Sequence, residues 1–395
     1  MKFNLPTLSK CLNIVKNTEA FYMTETNVLG FNVKMFDYRL ASYSDFADND
    51  AFELRGLCFV EDNDGVWHRN ILMNKFFNYA QTIGWLEEDL YSKKIVRVQD
   101  KLDGSVISFV KFPNGVTLAK SKMSFTSDQA KMAQEVYNKD LVDYKGVAKL
   151  VEYCYNNGLV SIWELVSPDN QIVLEYTETE LVLLQIRVAE TGRYLTTNEI
   201  KDLVERMNLK IRLADEFSDE FKDIDYLLKI KAESKESIEG FVVTYEDGQM
   251  AKIKTDHYLR QHHMIGPDAF RENLLVETIL EGSIDDVIAA LTASPKKDAV
   301  IELDRLVVQN FNHLVVEYKR LRGEYFNKYN EDRKEFALKY SRTHELFGCV
   351  MKTLNTSFRD IEETAEKAVK THILNKTKSL KDAKDYIESL KGAVK

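Results

Sequence analysis

From about residue 31 to 255 the chain repeatedly sets short β-branched and aromatic runs against turn pairs: LRGLCFV before DNDG, VISFVKF before PNG, LVSIWELV before SPDN, LVLLQIRV before ETG, and GFVVTY before EDG. Runs of this kind, closed by Asp, Asn, Pro and Gly, predict strands joined by hairpins, mostly antiparallel. Helical spacing interrupts them at about 126–152 and 197–208. The first residues, broken by Lys10, Asn13 and Lys16, predict an amphipathic helix rather than a signal peptide. After Pro267 the strand signals vanish, and Ile301, Leu303, Leu306, Val307, Phe311, Leu314, Val315 and Tyr318 recur at helical spacing on one predicted buried face. The expected class is α+β: an N-terminal domain of antiparallel sheets with flanking helices over residues 1–259, and an all-α domain over 260–395.

A length of 395 residues fits two domains, one with a core large enough to enclose a pocket. No run approaches the roughly 18 apolar residues of a membrane span, so no membrane partner and a cytoplasmic location are expected. Four cysteines, Cys11, Cys58, Cys154 and Cys349, lie far apart with no C-x-x-C pair, and read as packed thiols. The adjacent His262 and His263 lack the spacing of a metal site. DNDG lacks the remaining ligands of a calcium loop and reads as a hairpin turn. The net charge of −9 excludes binding of polyanions by bulk electrostatics. Residues 268–395 balance 22 basic against 22 acidic side chains, so the N-terminal part holds the whole deficit.

Within that part, KIVRVQDKLDGSVISFVKF delivers Lys101 from one β-rich run into a tight turn before the next. A lysine attacks phosphorus only as the neutral amine, which its ordinary pKa of ~10.4 makes scarce near neutral pH. An apolar wall and neighbouring cations both release the proton. Val96, Val98, Val106 and Ile107 are the candidate wall; Lys252 and Lys254 of MAKIKTD, on one face of a strand by alternation, are the candidate cations. Two ammonium groups together call for an anion such as a nucleotide phosphate. SIEGFVVTYEDG sets Glu239 at a strand start, with Gly240 where backbone can approach a ligand. VSIWELVSP places Glu164 in an apolar strand, where a carboxylate needs a partner or faces water from an edge. K-x-D-G alone is most often only a hairpin.

In order, K-x-D-G-S, a carboxylate strand, E-G-F-V and K-x-K resemble the covalent nucleotidyltransferases, the superfamily of ATP-dependent ligases and RNA capping enzymes. With ASYSDF, ELRGLCF, NKFFNY, KSKMS, WELVSPDNQIVL and AKIKTDHY, the chain is similar to the tailed-phage RNA ligase 1 family that repairs cleaved tRNA, over roughly residues 35 to 260. The resemblance implies covalent attachment of AMP from ATP to Lys101, with Asp103 orienting the reacting groups and Gly104 allowing close approach of the nucleotide. It implies ribose contacts from Glu164, a metal or nucleotide role for Glu239 beside Gly240, and phosphate contacts from Lys252 and Lys254. Arg55, Lys75 and Phe77 would help to hold the triphosphate, and Lys122, ahead of Lys120, would be the basic residue that follows the nucleophile. Taken singly, Arg55, Lys75 and Lys122 could be solvated charges, and Phe77 plain core. Where other branches stack an aromatic on the base, LVLLQIRV offers Leu184, Gln185 and Ile186, so ATP is implied by the family and not by a stacking residue.

The implied reaction forms lysyl-AMP, passes AMP to an RNA 5′-phosphate, and joins that end to a 3′-hydroxyl. Mg²⁺ is the expected ion, with Mn²⁺ as its substitute. The expected partner is single-stranded RNA ends, in the family an anticodon loop of tRNA, acted on by a monomer in a phage-infected bacterial cell. Residues 318–342 mix Lys319, Arg320, Arg322, Lys328, Arg333, Lys334 and Lys339 with Tyr325, Phe326, Tyr329 and Tyr340, which reads equally as an RNA-gripping face or as a solvated helix over core aromatics. The alternatives are a nick-sealing or capping enzyme, which would continue into several short strands after K-x-K, and a non-catalytic RNA-binding protein on the same fold.

Overall fold

Hairpin turns at DNDG and PNG close two of the expected strand pairs: Leu57–Glu61 with Trp67–Asn70, and Ser105–Lys111 with Thr117–Lys120. Gly65 and Gly115 both adopt the positive φ that such turns require. The computed structural model describes residues 3–170, 174–234, 238–261, 271–291, 295–356, 361–378 and 383–390; the His262–His263 pair and Pro267 lie outside them. Two compact units emerge: Met1–Asn17, Phe21–Tyr38 and Tyr43–His262 form the first, and Thr18–Ala20, Arg39–Ser42 and His263–Lys395 the second. No helix among the described residues is long and apolar enough to cross a membrane.

The first unit holds three sheets. Phe21–Val28, Phe31–Tyr38, Leu57–Glu61 and Trp67–Asn70 make an antiparallel meander. A five-stranded sheet runs in the order Arg212–Leu213, Glu180–Val188, Leu159–Val166, Ser105–Lys111, Thr117–Lys120. The third runs Phe77–Asn78, Met250–Lys254, Gly240–Tyr245, Ile95–Asp100. Two pairs depart from the antiparallel expectation: Arg212–Leu213 and Phe77–Asn78 each lie parallel to their neighbour, because each is a two-residue piece reached by a long connection rather than a hairpin.

Helices cover the five-stranded sheet. Asp128–Asp143 starts where the Ser127 hydroxyl accepts from the Ala130 amide, and it ends on Tyr144 in the left-handed region. Thr196 and Glu199 form a reciprocal capping box for Thr197–Arg206. With Val147–Asn156, these helices bury Ala133, Tyr137, Leu150, Val151, Ile200 and Leu203 against Ile107, Phe109, Trp163, Leu165, Leu183 and Ile186 of the sheet. The N-terminal helix forms over Leu8–Asn17 and buries Cys11 and Ile14.

The described elements of the second unit after residue 270 are helices: Glu272–Leu280, Ile284–Ala290, Pro295–Asn327, Arg333–Tyr340, Phe347–Lys352, Ile361–Thr377 and Ala383–Ser389. Along Pro295–Asn327, Leu303, Leu306, Val307, Phe311, Leu314, Val315 and Tyr318 are buried as their spacing predicts. Ile301 is not: it is 41% exposed, because about 100° of helical rotation per residue carries it away from buried Val300 and Leu303.

Candidate active site

The third sheet assembles the surroundings of Lys101 from sequence-distant pieces. Ile95–Asp100 pairs with Gly240–Tyr245, which pairs in turn with Met250–Lys254. The Lys101 amide donates to the Gly240 carbonyl at 2.9 Å, fixing the start of the K-x-D-G turn against Glu239-Gly240. Register sets Gly240 opposite Lys254 and Val242 opposite Lys252, so both lysines project from one side of their strand. Lys254 reaches Glu239 at 3.1 Å, and Lys101 reaches the same carboxylate oxygen at 2.7 Å. Lys252 stands 5.8 Å from the Phe76 ring centroid.

The amine at 101 is therefore not in bulk water, being 22% exposed, and it shares its partner with one of the paired lysines. Its surroundings differ from the expected apolar wall. Val96 is exposed, and the nearest charged group is the carboxylate of Glu239, itself 3% exposed. Strand alternation turns Val96 outward while the turn carries Lys101 back towards Glu239.

Asp103 is buried and fastened at three points. Tyr258 donates its hydroxyl to Oδ1 at 2.9 Å, the Leu174 amide donates to Oδ2 at 2.8 Å, and the Asp103 amide donates to the Tyr176 hydroxyl at 3.0 Å. Tyr258 also lies beneath Lys254, 5.2 Å from its ammonium. Gly104 and Gly240 are each pressed against neighbouring backbone. A Cβ at 104 would stand 2.3 Å from the Leu165 carbonyl oxygen, and one at 240 would stand 2.1 Å from that of Ile253.

Glu164 lies on Leu159–Val166, an interior strand flanked by Glu180–Val188 and Ser105–Lys111, so the edge-strand reading fails. Burial pushes its carboxyl up to about 7 against the pull of Lys101, and the nearby Glu239 adds to the rise. Burial and the neighbouring Asp215 carry Asp100 up to about 6. Leu102, Val166, Val182 and Ala214, with Tyr176 and Leu184 packed on them, form a small apolar cluster beside the turn.

A second group of cations gathers on Tyr38, which the sequence reading did not single out. Lys75 lies 5.1 Å over its ring and donates to its hydroxyl at 3.4 Å; Lys122 lies 5.1 Å over the same ring and pairs with buried Asp37 at 2.8 Å. Burial raises the Tyr38 phenol, but Lys75, Lys122 and Arg55 outweigh it and bring the value down to about 8. Arg55 acts on Glu164 as well, linking this group to the surroundings of Lys101, and its Nη1 is buried without a hydrogen-bond partner. The only sequence signal for Tyr38 is its place at the end of the strand FNVKMFDY, which says nothing of the lysines that meet it.

Of the two lysines in KSK, Lys122 faces Asp37 and Tyr38, whereas Lys120 is fully buried and donates to the carbonyls of Gly56, Ser121 and Lys122 at 3.0–3.1 Å. Phe77 is a core side chain, packed edge-on against Tyr43, Phe46 and Trp85, with Lys75 4.9 Å over its face. It holds Lys75 in place from below, a contact worth roughly 0.5–2 kcal/mol. A cleft of about 900 Å³ elsewhere in this unit, lined by Arg69, Lys111, Gln134 and Tyr155 among others, contains none of these groups.

Within residues 318–342 the aromatic side chains pack on one another. Tyr325, Tyr329, Tyr340 and Phe347 pack around buried Phe336 with ring centroids 5.1–5.7 Å from it. Arg322 is buried and donates to the Thr356 carbonyl, Lys319 pairs with Glu362 at 2.6 Å, and Arg320 pairs with Glu317 and Glu324. Lys328, Arg333, Lys334 and Lys339 remain exposed.

A family model described as RNA ligase matches residues 53–258. The chain is 25% identical over 373 residues to a Thermovibrio ammonificans protein named as an RNA ligase, covering 92% of each. It is 23% identical over 301 residues to RNA ligase 1 of bacteriophage TS2126, covering 72% of this chain and 69% of that one. Among solved structures, an archaeal ATP-dependent RNA ligase aligns with a TM-score of 0.45 at 12% identity over 75% of each chain. The matched span is just over half of the chain and contains Lys101, Glu164, Glu239, Lys252 and Lys254, and the chain belongs to the RNA ligase family, in the tailed-phage RNA ligase 1 group.

Proposed function

We propose that this chain joins RNA 5′-phosphate and 3′-hydroxyl ends through AMP carried on Lys101. The observation that carries the reading is the meeting of Lys101 and Lys254 on one oxygen of Glu239, beside the half-buried Glu164. In the first displacement the Lys101 amine, once it has left Glu239 and lost its proton, attacks the α-phosphorus of ATP; an N–P bond forms and the bond to pyrophosphate breaks. Lys252 and Lys254 offset the charge that develops on phosphorus, and Arg55, Lys75, Lys122 and Tyr38 form the polar floor for the departing pyrophosphate. AMP then passes to the RNA 5′-phosphate, and the 3′-hydroxyl displaces it. Glu164 accepts from the ribose hydroxyls.

The residues present fit a divalent cation. Glu239 Oε2 is buried without a hydrogen-bond partner, and a cation there needs few protein ligands because phosphate oxygens and water complete its shell. Mg²⁺, or Mn²⁺ in its place, would neutralise phosphate charge at that point. We assign adenylyl transfer to residues 1–259 and choice of RNA to residues 260–395, acting as a monomer on single-stranded ends such as a cut tRNA anticodon loop. The bacteriophage relative supports a setting in the cytoplasm of an infected bacterium. Among the described residues no strand follows Lys254, which counts against the nick-sealing and capping readings.

The test is incubation of protein with α-labelled ATP and magnesium, denaturation, and detection of label on the polypeptide. Label is expected in the wild type and absent in Lys101→Ala. Unlabelled wild-type protein, folded and free of bound AMP, would sink the reading. Circularisation of a 5′-phosphorylated single-stranded RNA then separates end joining from capping.

A further inference from the structure

A guanidinium is costly to bury, and Arg187, near the end of Glu180–Val188 in the first unit, is fully buried. Its Nη1 and Nη2 form a fork on the Glu53 carboxylate at 2.9 and 2.8 Å, Nη1 also donates to the Leu72 carbonyl, and Nε donates to the Gly192 carbonyl at 2.9 Å. The guanidinium carbon lies 4.5 Å from the ring centre of Tyr194 and 5.0 Å from that of Phe3. Apolar side chains would fill the same space without the desolvation cost. What the fork adds is direction, because two parallel bonds fix the angle between the partners as well as their contact.

The pieces held at that angle are the two that carry cations of the Tyr38 group. Glu53 belongs to the turn Phe52–Leu54, directly before Arg55, and Leu72 stands three residues before Lys75. The Lys75 amide donates to the Phe52 carbonyl at 2.7 Å and joins the same two pieces through backbone. Tyr194 adds a second clamp. Its hydroxyl donates to Asn74 Oδ1 at 2.6 Å and accepts from the Asn74 amide at 3.2 Å, while the Asn74 side chain donates to the Lys75 carbonyl at 3.1 Å. Burial pushes the Tyr194 phenol up to about 12, against the pull of Arg187, so it keeps the proton that it donates. Cations that meet a ligand at a fixed place depend on such support, since a shift of about 1 Å far from the chemistry costs up to about a hundredfold in rate.

We propose that Arg187 and Tyr194 are positioning residues for nucleotide binding, acting through Glu53 and Asn74 to hold Arg55 and Lys75 where the triphosphate of ATP lies. The proposal rests on the reading above that Arg55 and Lys75 meet the triphosphate.

The experiment follows the rate of label transfer from α-labelled ATP to the full-length chain against ATP concentration. Arg187→Ala would leave the Glu53 carboxylate buried and unpaired and would unfold the unit for that reason alone, so gentler variants carry the test. Tyr194→Phe keeps the ring against Arg187 and removes both bonds to Asn74. It should raise the half-saturating ATP concentration by about fivefold, with the maximal rate within about twofold of the wild type and the circular dichroism spectrum unchanged. Arg187→Lys keeps the charge and loses the fork, and it should act in the same direction. In a Lys75→Ala background, Tyr194→Phe should add less than about twofold, because the lysine that it positions is gone. A merely structural role would lower the unfolding temperature and leave the half-saturating concentration of the folded chain alone. That result in either folded variant, or a full fivefold rise on top of Lys75→Ala, overturns the proposal and leaves the assigned reaction standing. A folded wild type that takes no label would instead overturn the assigned reaction, and this proposal with it.

Discussion

Replacing Glu164 by Gln tests whether the carboxylate of the interior strand is as costly to ionise as its surroundings indicate. In the folded chain the group titrates near pH 7, against an ordinary value of 4.5. Between those values the folded state holds a proton that the unfolded state has released, so stability falls as pH rises; the contribution is complete below about pH 4.5 and gone above about pH 7. A displacement of about 2.5 pH units at 1.36 kcal/mol each gives about 3 kcal/mol, an upper value because the side chain keeps some access to solvent. Gln cannot ionise, so Glu164→Gln should resemble the wild type near pH 4.5 and exceed it in stability by up to about 3 kcal/mol near pH 8. All three tryptophans, Trp67, Trp85 and Trp163, lie in the first unit, so urea unfolding followed by tryptophan fluorescence reads that unit selectively. The reasoning is refuted if the unfolding midpoints of wild type and variant move in parallel between about pH 5 and pH 8.

Tyr258→Phe removes a hydroxyl donor to the Asp103 carboxylate and leaves the Leu174 amide in place, so label transfer to Lys101 should slow by about tenfold with the fold intact, in line with about 1–1.5 kcal/mol for such a bond; an unchanged rate would remove Tyr258 from the site. Gly240→Ala drives a Cβ to 2.1 Å from the Ile253 carbonyl oxygen at a φ of 153°, and thermal unfolding of the first unit should show a loss of several kcal/mol, about 3 or more, with wild-type stability counting against the close-packing explanation. Tyr38→Phe removes the phenol that Lys75 donates to while keeping the ring beneath Lys75 and Lys122; the rate of label transfer at low ATP should fall by about fivefold to tenfold without loss of stability, and an equal rate would exclude the hydroxyl from the nucleotide site.

The local elements were legible because their signals are local. Period-two runs ending in Asp-Gly or Asn-Gly gave the hairpins, Ser127 and Thr196 stand at the helix starts, and the 3.6-residue spacing of Leu303 to Tyr318 marked the buried face of the long helix. The order of K-x-D-G, the carboxylate strand, E-G-F-V and K-x-K pointed to the RNA ligase family, and the family model matches the span that holds these motifs. What sequence could not supply is which side chains meet. Lys101 and Glu239 are brought to 2.7 Å because the strand Ile95–Asp100 pairs with a strand some 140 residues later, and no local preference specifies that partner. The same dependence hides Tyr38 between Lys75 and Lys122, separates buried Lys120 from Lys122 although they are two residues apart, and packs Phe77 beneath Lys75. Sequence determined the chemical groups and the elements that carry them, whereas burial, register across the sheets and the charges of distant neighbours decided their protonation and their partners, because those properties belong to positions in space and not to positions along the chain.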